Sequence, residues 1–137
     1  MTVIGYDDLA SFIKANYKPG SRIVEVGVGG HPEVALLLKD DFNVICTDIF
    51  EGPVPGVEYV RDDIFKPDIR IYKNALLIYS IRPPIEMQEA MASVAKEVGA
   101  DLIIRPFSTE KTDLRKHMKS FRCVNYGKSV FFLYKIT

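Results

Sequence analysis

Short β-branched runs alternate along this chain with stretches in which apolar residues return every three or four positions. Tyr6, Leu9, Ala10, Ile13 and Tyr17 recur at helical spacing and predict an amphipathic helix over residues 7–16, ended by Lys18-Pro19-Gly20. Ile23, Val24, Val26 and Val28 make the first strand, of the kind buried on both faces of a parallel sheet. A helix follows over residues 32–39, apolar along 34–38, opening on Pro32 where a missing N–H costs nothing. Residues 42–49 are the second strand, 51–56 a turn and 57–61 a short third strand. Residues 66–74 are too short and too broken to hold a full crossover helix. The fourth strand spans 75–81. Met87, Ala90, Met91, Val94, Ala95 and Val98 then share one helical face, stopped by Gly99. Residues 100–104 are the fifth strand. Ser108 or Thr109 can cap a short helix that turns Leu114 and Met118 inward. Residues 121–125 and 130–136, joined by a turn at 126–128, close as a hairpin. Strands alternating with helices predict an α/β sandwich of three layers, its mostly parallel sheet closed by a C-terminal antiparallel β-hairpin.

Length and charge narrow this further. The 137 residues suit a single domain over 1–137. Lys+Arg and Asp+Glu are both 18, so the overall charge supports neither nucleic acid nor an anionic membrane as partner, while leaving room for a local basic patch. No apolar run approaches membrane-spanning length, and the opening MTVIGYDDLA lacks a charged region leading into an apolar core. The expected location is the cytoplasm. Cys46 and Cys123 sit in strand-like runs without C-x-x-C or a His at ligand spacing. They read as buried small hydrophobes, with no metal site expected.

The candidate chemistry begins where the first strand meets Gly27, Gly29 and Gly30. Glycines let a ligand approach the backbone, and the helix that follows offers unpaired N–H groups. A dinucleotide fingerprint would need glycine where Pro32 stands, which disfavours an NAD-dependent oxidoreductase. Instead an acid precedes the glycines, as Glu25-x-Gly27-x-Gly29. That acid would repel a pyrophosphate and suits a ligand carrying an ammonium or sulfonium group.

This pattern resembles the first motif of class I S-adenosylmethionine-dependent methyltransferases, E/D-x-G-x-G-x-G, with His31 in the third glycine's place and Gly30 displaced by one. The element order resembles that family's seven-stranded Rossmann-like fold over nearly the whole chain, with a reduced helix set. The short length resembles a small uncharacterised archaeal family of reduced methyltransferase-like proteins. The resemblance implies S-adenosylmethionine as cofactor. Asp48, 21 residues past Gly27, stands where an acid accepts hydrogen bonds from ribose; the spacing favours this over a plain turn former. The resemblance gives Asp62 or Asp63 to the adenine amino group and Ile64 to the ring, against an Asp-rich helix cap. His31 is a base, a cover over the ligand, or a half-exposed cap before Pro32. His117, among Arg115, Lys116 and Lys119, reads as part of a solvated face.

Arg82 and Arg105 end strands expected to be neighbours. They either grip a carboxylate or phosphate on the methyl acceptor, or neutralise acids at the same edge. Arg82-Pro83-Pro84 only partly resembles the N/D-P-P-Y/F motif, so amino-group methylation is not supported. The chain leaves little length for an acceptor-binding cap. Two readings follow: a minimal methyltransferase domain that binds S-adenosylmethionine, its acceptor and catalytic residues unassigned, or a non-catalytic nucleotide-binding or protein-interaction module with the same fold. The short 66–74 segment further predicts a thinly covered flank at Phe65, Ile69, Ile71 and Tyr72, buried by a second copy or another protein.

Overall fold

The chain builds α1 (Tyr6–Asn16), β1 (Arg22–Val26), α2 (Glu33–Leu38), β2 (Asn43–Asp48), β3 (Glu58–Arg61), α3 (Ile69–Tyr72), β4 (Ala75–Ile81), α4 (Ile85–Val98), β5 (Asp101–Arg105), β6 (Ser120–Tyr126) and β7 (Ser129–Lys135). In this computed structural model, which describes residues 4–106 and 113–136, the strands form one sheet in the order β3-β2-β1-β4-β5-β7-β6. β1 to β5 run parallel, while β7 lies antiparallel between β5 and β6. This is the α/β sheet with a closing hairpin that the sequence predicts. Ser108 and Thr109 lie outside the described residues.

Side-chain alternation on the strands divides the interior into two cores. On one face Ile23, Cys46, Leu77, Tyr79, Ile103 and Phe131 meet α1 and α2 through Leu9, Phe12, Ile13, Val34 and Leu38. On the other, Val24, Val26, Ile45, Ile78 and Leu102 meet Met91, Ala92, Val94 and Ala95 of α4. Each fully buried Leu, Ile or Met contributes roughly 1.5–3 kcal/mol. α1 is pinned at both ends. Asp8 Oδ2 accepts from the Lys128 N–H at 2.8 Å, and Tyr17 donates its hydroxyl to Asp101 Oδ2 at 2.8 Å. Between these contacts, Phe12 meets Phe131 edge-on at 4.9 Å.

Four expectations are corrected. Residues 113–119 form turns and no helix: His117 and Met118 both donate to the Leu114 carbonyl, and Lys119 already pairs with Lys135. Leu114 and Met118 are nonetheless buried. Cys46 is buried, but Cys123 is exposed, because β6 is the outer strand and Val124 is its one buried residue. His117 is not a solvated residue: its side chain is 15% exposed and lies 3.8 Å from Glu89.

The fourth correction concerns the flank. A single turn, capped by Asp68 accepting from the Arg70 N–H, turns Ile71 and Tyr72 into the α4-side core. Tyr72 donates to Asp62 Oδ2 at 3.2 Å, and of the four apolar residues only Phe65 remains exposed. The apolar surface expected to recruit a second copy is therefore closed within the chain. Ile71→Lys should lower the stability of the folded chain by about 1–2 kcal/mol, since the lysine can reach solvent from a site near the surface. Urea unfolding checks this. Subunit dissociation without loss of stability would restore the interface reading.

Candidate functional site

β1 to β5 all end on one side of the sheet, and the loop after β1 lies at the centre of that edge. Gly27 and Val28 continue the strand's pairing by donating to the Thr47 carbonyl at 2.9 and 3.1 Å. The backbone then turns through φ +74° at Gly27 and +55° at Gly29, a left-handed region that L side chains rarely adopt. A Cβ on Gly27 would lie 3.7 Å from Met87 Cε and 3.8 Å from Ser80 Oγ; one on Gly29 would meet nothing within 4 Å. The loop is thus packed against the β4–α4 corner on one side and open on the other. α2 begins only at Glu33 and has six residues. The backbone N–H groups of the loop itself, more than the end of a long helix, define the site.

Asp48 ties this loop to the end of β2. Its Oδ2 accepts from the Gly29 N–H at 2.9 Å and its Oδ1 from the Ile49 N–H at 2.8 Å. Each carboxylate oxygen keeps a further lone pair for a ligand hydroxyl. Beyond Asp48 the chain rises into an apolar wall. Phe50 stacks on Tyr59 with ring centroids 4.9 Å apart, and the Tyr59 hydroxyl donates to the Phe50 carbonyl at 2.6 Å. Between this wall and the glycine loop lies a cleft of about 600 Å³, lined by Gly29, Gly30 and Pro32 on one side and Phe50, Pro53, Val54 and Pro55 on the other. A volume of that size suits a nucleoside-sized ligand.

Glu25 is not at the open edge. It is 1% exposed, paired in register with Tyr79 on β4, and accepts from the Tyr79 hydroxyl at 2.6 Å. Burial pushes its carboxyl up to about 8, against the Tyr79 hydrogen bond and with help from the charges of Glu33 and Asp48. It is therefore mostly protonated at neutral pH. The negative field expected from Glu25 comes instead from Asp48 and Glu33. Glu33 lies 3.7 Å from His31, and the His31 side chain is half exposed.

The other candidates divide. Asp62 turns inward, accepting from the Asp68 N–H at 2.9 Å and from Tyr72, so it holds the entry to α3. Asp63 is exposed and accepts from the Phe65 N–H at 2.9 Å. Ile64 is buried in the α4-side core. Arg82 and Arg105 are brought together: the Arg82 N–H donates to the Arg105 carbonyl at 2.6 Å. Sequence reasoning missed Glu33, Tyr79 and the Phe50–Tyr59 stack. Glu33 carried a signal, as an acid three residues after Gly30. Tyr79 carried none until β1 and β4 were known to be neighbours. Among the described residues no cluster of three or more His, Cys, Asp or Glu is placed to hold a metal, and no helix is long and apolar enough to cross a membrane.

Comparison with known proteins adds the following. Residues 6–136 match the model of an uncharacterised protein family, UPF0146. The UPF0146 protein of Methanothermobacter thermautotrophicus is 42% identical over 131 residues, covering 94% of each chain. Among solved structures, a TehB-like S-adenosylmethionine-dependent methyltransferase from Corynebacterium glutamicum superposes with a TM-score of 0.65 at 16% identity, over 93% of this chain and 87% of that one. An rRNA methylase from Streptococcus thermophilus gives 0.61 at 14% identity, over 98% and 95%. At such identities the likeness is one of fold, and the fold is methyltransferase-like.

Proposed function

This chain belongs to the UPF0146 family, and from the geometry of its sheet edge we propose that it binds S-adenosylmethionine as a minimal methyltransferase-like domain. The observation that carries the reading is the 2.9 Å hydrogen bond from the Gly29 N–H to Asp48 Oδ2. It joins the β1 loop to the acid ending β2, beside the β1–β4 junction where the strand order reverses, the usual ligand position in open α/β sheets. The residues present fit the cofactor. Asp48 offers acceptors for ribose hydroxyls, the open side of Gly29 admits close approach, and the Phe50, Pro53 and Pro55 wall covers an apolar base. Asp48 and Glu33 attract a cationic ligand. Of the two acids after β3, Asp63 is the exposed one and the candidate for the adenine amino group, since both oxygens of Asp62 are engaged around α3.

When bound, S-adenosylmethionine supplies a methyl group on a cationic sulfur. The chain's own contribution is placement, and proximity alone supplies much of the rate of such transfers. The acceptor is unassigned. Calorimetric titration of the ligand-free protein with S-adenosylmethionine, S-adenosylhomocysteine and NAD tests the reading. Both adenosyl compounds should bind and NAD should not compete with them. Tighter binding of NAD, or heat from none of the three, would overturn it.

A further inference from the structure

We propose that Arg105, with Arg82 beside it, is an oxyanion site that takes the carboxylate or phosphate group of a ligand at the C-terminal ends of β4 and β5. Arg105 closes β5 opposite Ile81, and Arg82 follows directly after β4. The 2.6 Å bond from the Arg82 N–H to the Arg105 carbonyl fixes the two backbones together. It does so with Arg82 at φ +56°, a left-handed conformation uncommon for a long side chain and one that collects at functional sites.

Among the described residues the guanidinium of Arg105 is held by uncharged acceptors only. Nη1 donates to the Pro106 carbonyl at 2.9 Å and Nη2 to the Ile4 carbonyl at 3.3 Å, both uncharged acceptors. Its Nε is buried without a hydrogen-bond partner. Among the described residues no carboxylate lies within 4 Å of Arg105; Arg22, which likewise meets none, donates its Nε to the Ile71 carbonyl at 2.8 Å, an acceptor the Arg105 Nε lacks. Burial, and after it the like charge of Arg82, push its pKa below the usual arginine value. Neutralisation of a nearby acid, the alternative the sequence left open, thus finds no partner for Arg105 among the described residues. A partly buried guanidinium with a like charge beside it and an orphaned Nε–H lacks the planar, doubly accepting partner that carboxylates and phosphates supply.

The pair belongs to the same edge as the glycine loop. Ser80, two residues before Arg82, donates to the Val26 carbonyl at 2.7 Å and faces Gly27. The inference deepens the adenosyl-binding reading by naming an acidic group at that edge. Two sources carry it: the carboxylate of an adenosyl amino acid, or a second, anionic ligand.

The test uses inorganic phosphate on the full, ligand-free chain, with chloride at matched ionic strength as control. No adenosyl compound is present, so this proposal and the cofactor assignment can fail separately. Phosphate should bind and raise the thermal midpoint beyond the chloride control. Arg105→Gln should weaken it by at least about tenfold, with Arg105→Lys retaining part of the affinity. Circular dichroism checks that each variant is folded. If Arg105→Gln does not fold, Arg82→Gln replaces it, with an expected weakening of roughly threefold or more. Phosphate acting no differently from chloride, or binding a folded variant as tightly as the native chain, overturns the proposal. Given binding, competition assigns the source. Displacement by S-adenosylhomocysteine but not by 5′-methylthioadenosine, which has no carboxylate, supports the cofactor's own acid group; displacement by neither supports a second ligand.

Discussion

Between pH 5 and pH 9 the ligand-free protein should lose roughly 3–5 kcal/mol of stability that Glu25→Gln does not lose. The unfolded chain ionises Glu25 near 4.5, while the folded chain holds its carboxyl up to about 8. Below the lower value both states are protonated and the group contributes nothing. Between the two values the native state binds a proton that the unfolded state has released, so stability falls as pH rises, and it levels off above the upper value. Glutamine has nearly the same shape, stays neutral at every pH and can still accept from the Tyr79 hydroxyl. Urea midpoints at pH 5, 7 and 9 for both chains check this. The variant should match the native chain at pH 5 and exceed it increasingly toward pH 9. Parallel pH curves would mean that water or a rearrangement reaches Glu25 and that it ionises normally.

Asp48→Ala should weaken S-adenosylhomocysteine binding by roughly 1–3 kcal/mol, the scale of hydrogen bonds to a charged acceptor. Read from sequence alone, the same change should alter ligand-free stability little, because the Asp48 side chain would sit at the open edge. The structure revises that. Removing the carboxylate strips an acceptor from both the Gly29 and the Ile49 N–H groups, so stability should also fall by about 1–2 kcal/mol. Asp48→Asn, which keeps an acceptor for Gly29, should recover much of the stability and little of the affinity. Calorimetry paired with urea unfolding separates the two losses. Unchanged affinity in a destabilised variant would make Asp48 a turn residue only.

The strands of this fold were legible because most are buried on both faces, which writes them as unbroken apolar runs such as Ile23-Val24 and Leu77-Ile78. What escaped depends on which element lies beside which. Cys123 sits in the mixed run Phe121-Arg122-Cys123-Val124-Asn125, and the sheet order makes that strand an edge. Ile71 and Tyr72 looked unsheltered because one turn of helix leaves too little pattern to show a buried side. Glu25 was recognised as part of the loop motif but misplaced, although alternation held the answer: it shares a strand face with Ile23, under α1 and α2, and not with the open edge. The position of Asp48 was readable from spacing, its bond to Gly29 was not. Arg82 and Arg105 were visible as strand ends, but that no acid among the described residues lies beside Arg105 is a property of the folded neighbourhood.

The clasp between α1 and the closing hairpin also bears on how a ribosome must deliver this molecule. Asp8 and Lys128 are 120 positions apart, yet one holds the turn between β6 and β7 against the other. Phe12 waits for Phe131, and β7 enters the sheet between β5 and β6, so β6 has no place until β7 arrives. α1 therefore keeps part of its apolar side bare until β7 has emerged. Nascent chains stalled before Ser129 will present that side of α1, with Phe12 foremost, to chaperones and to one another.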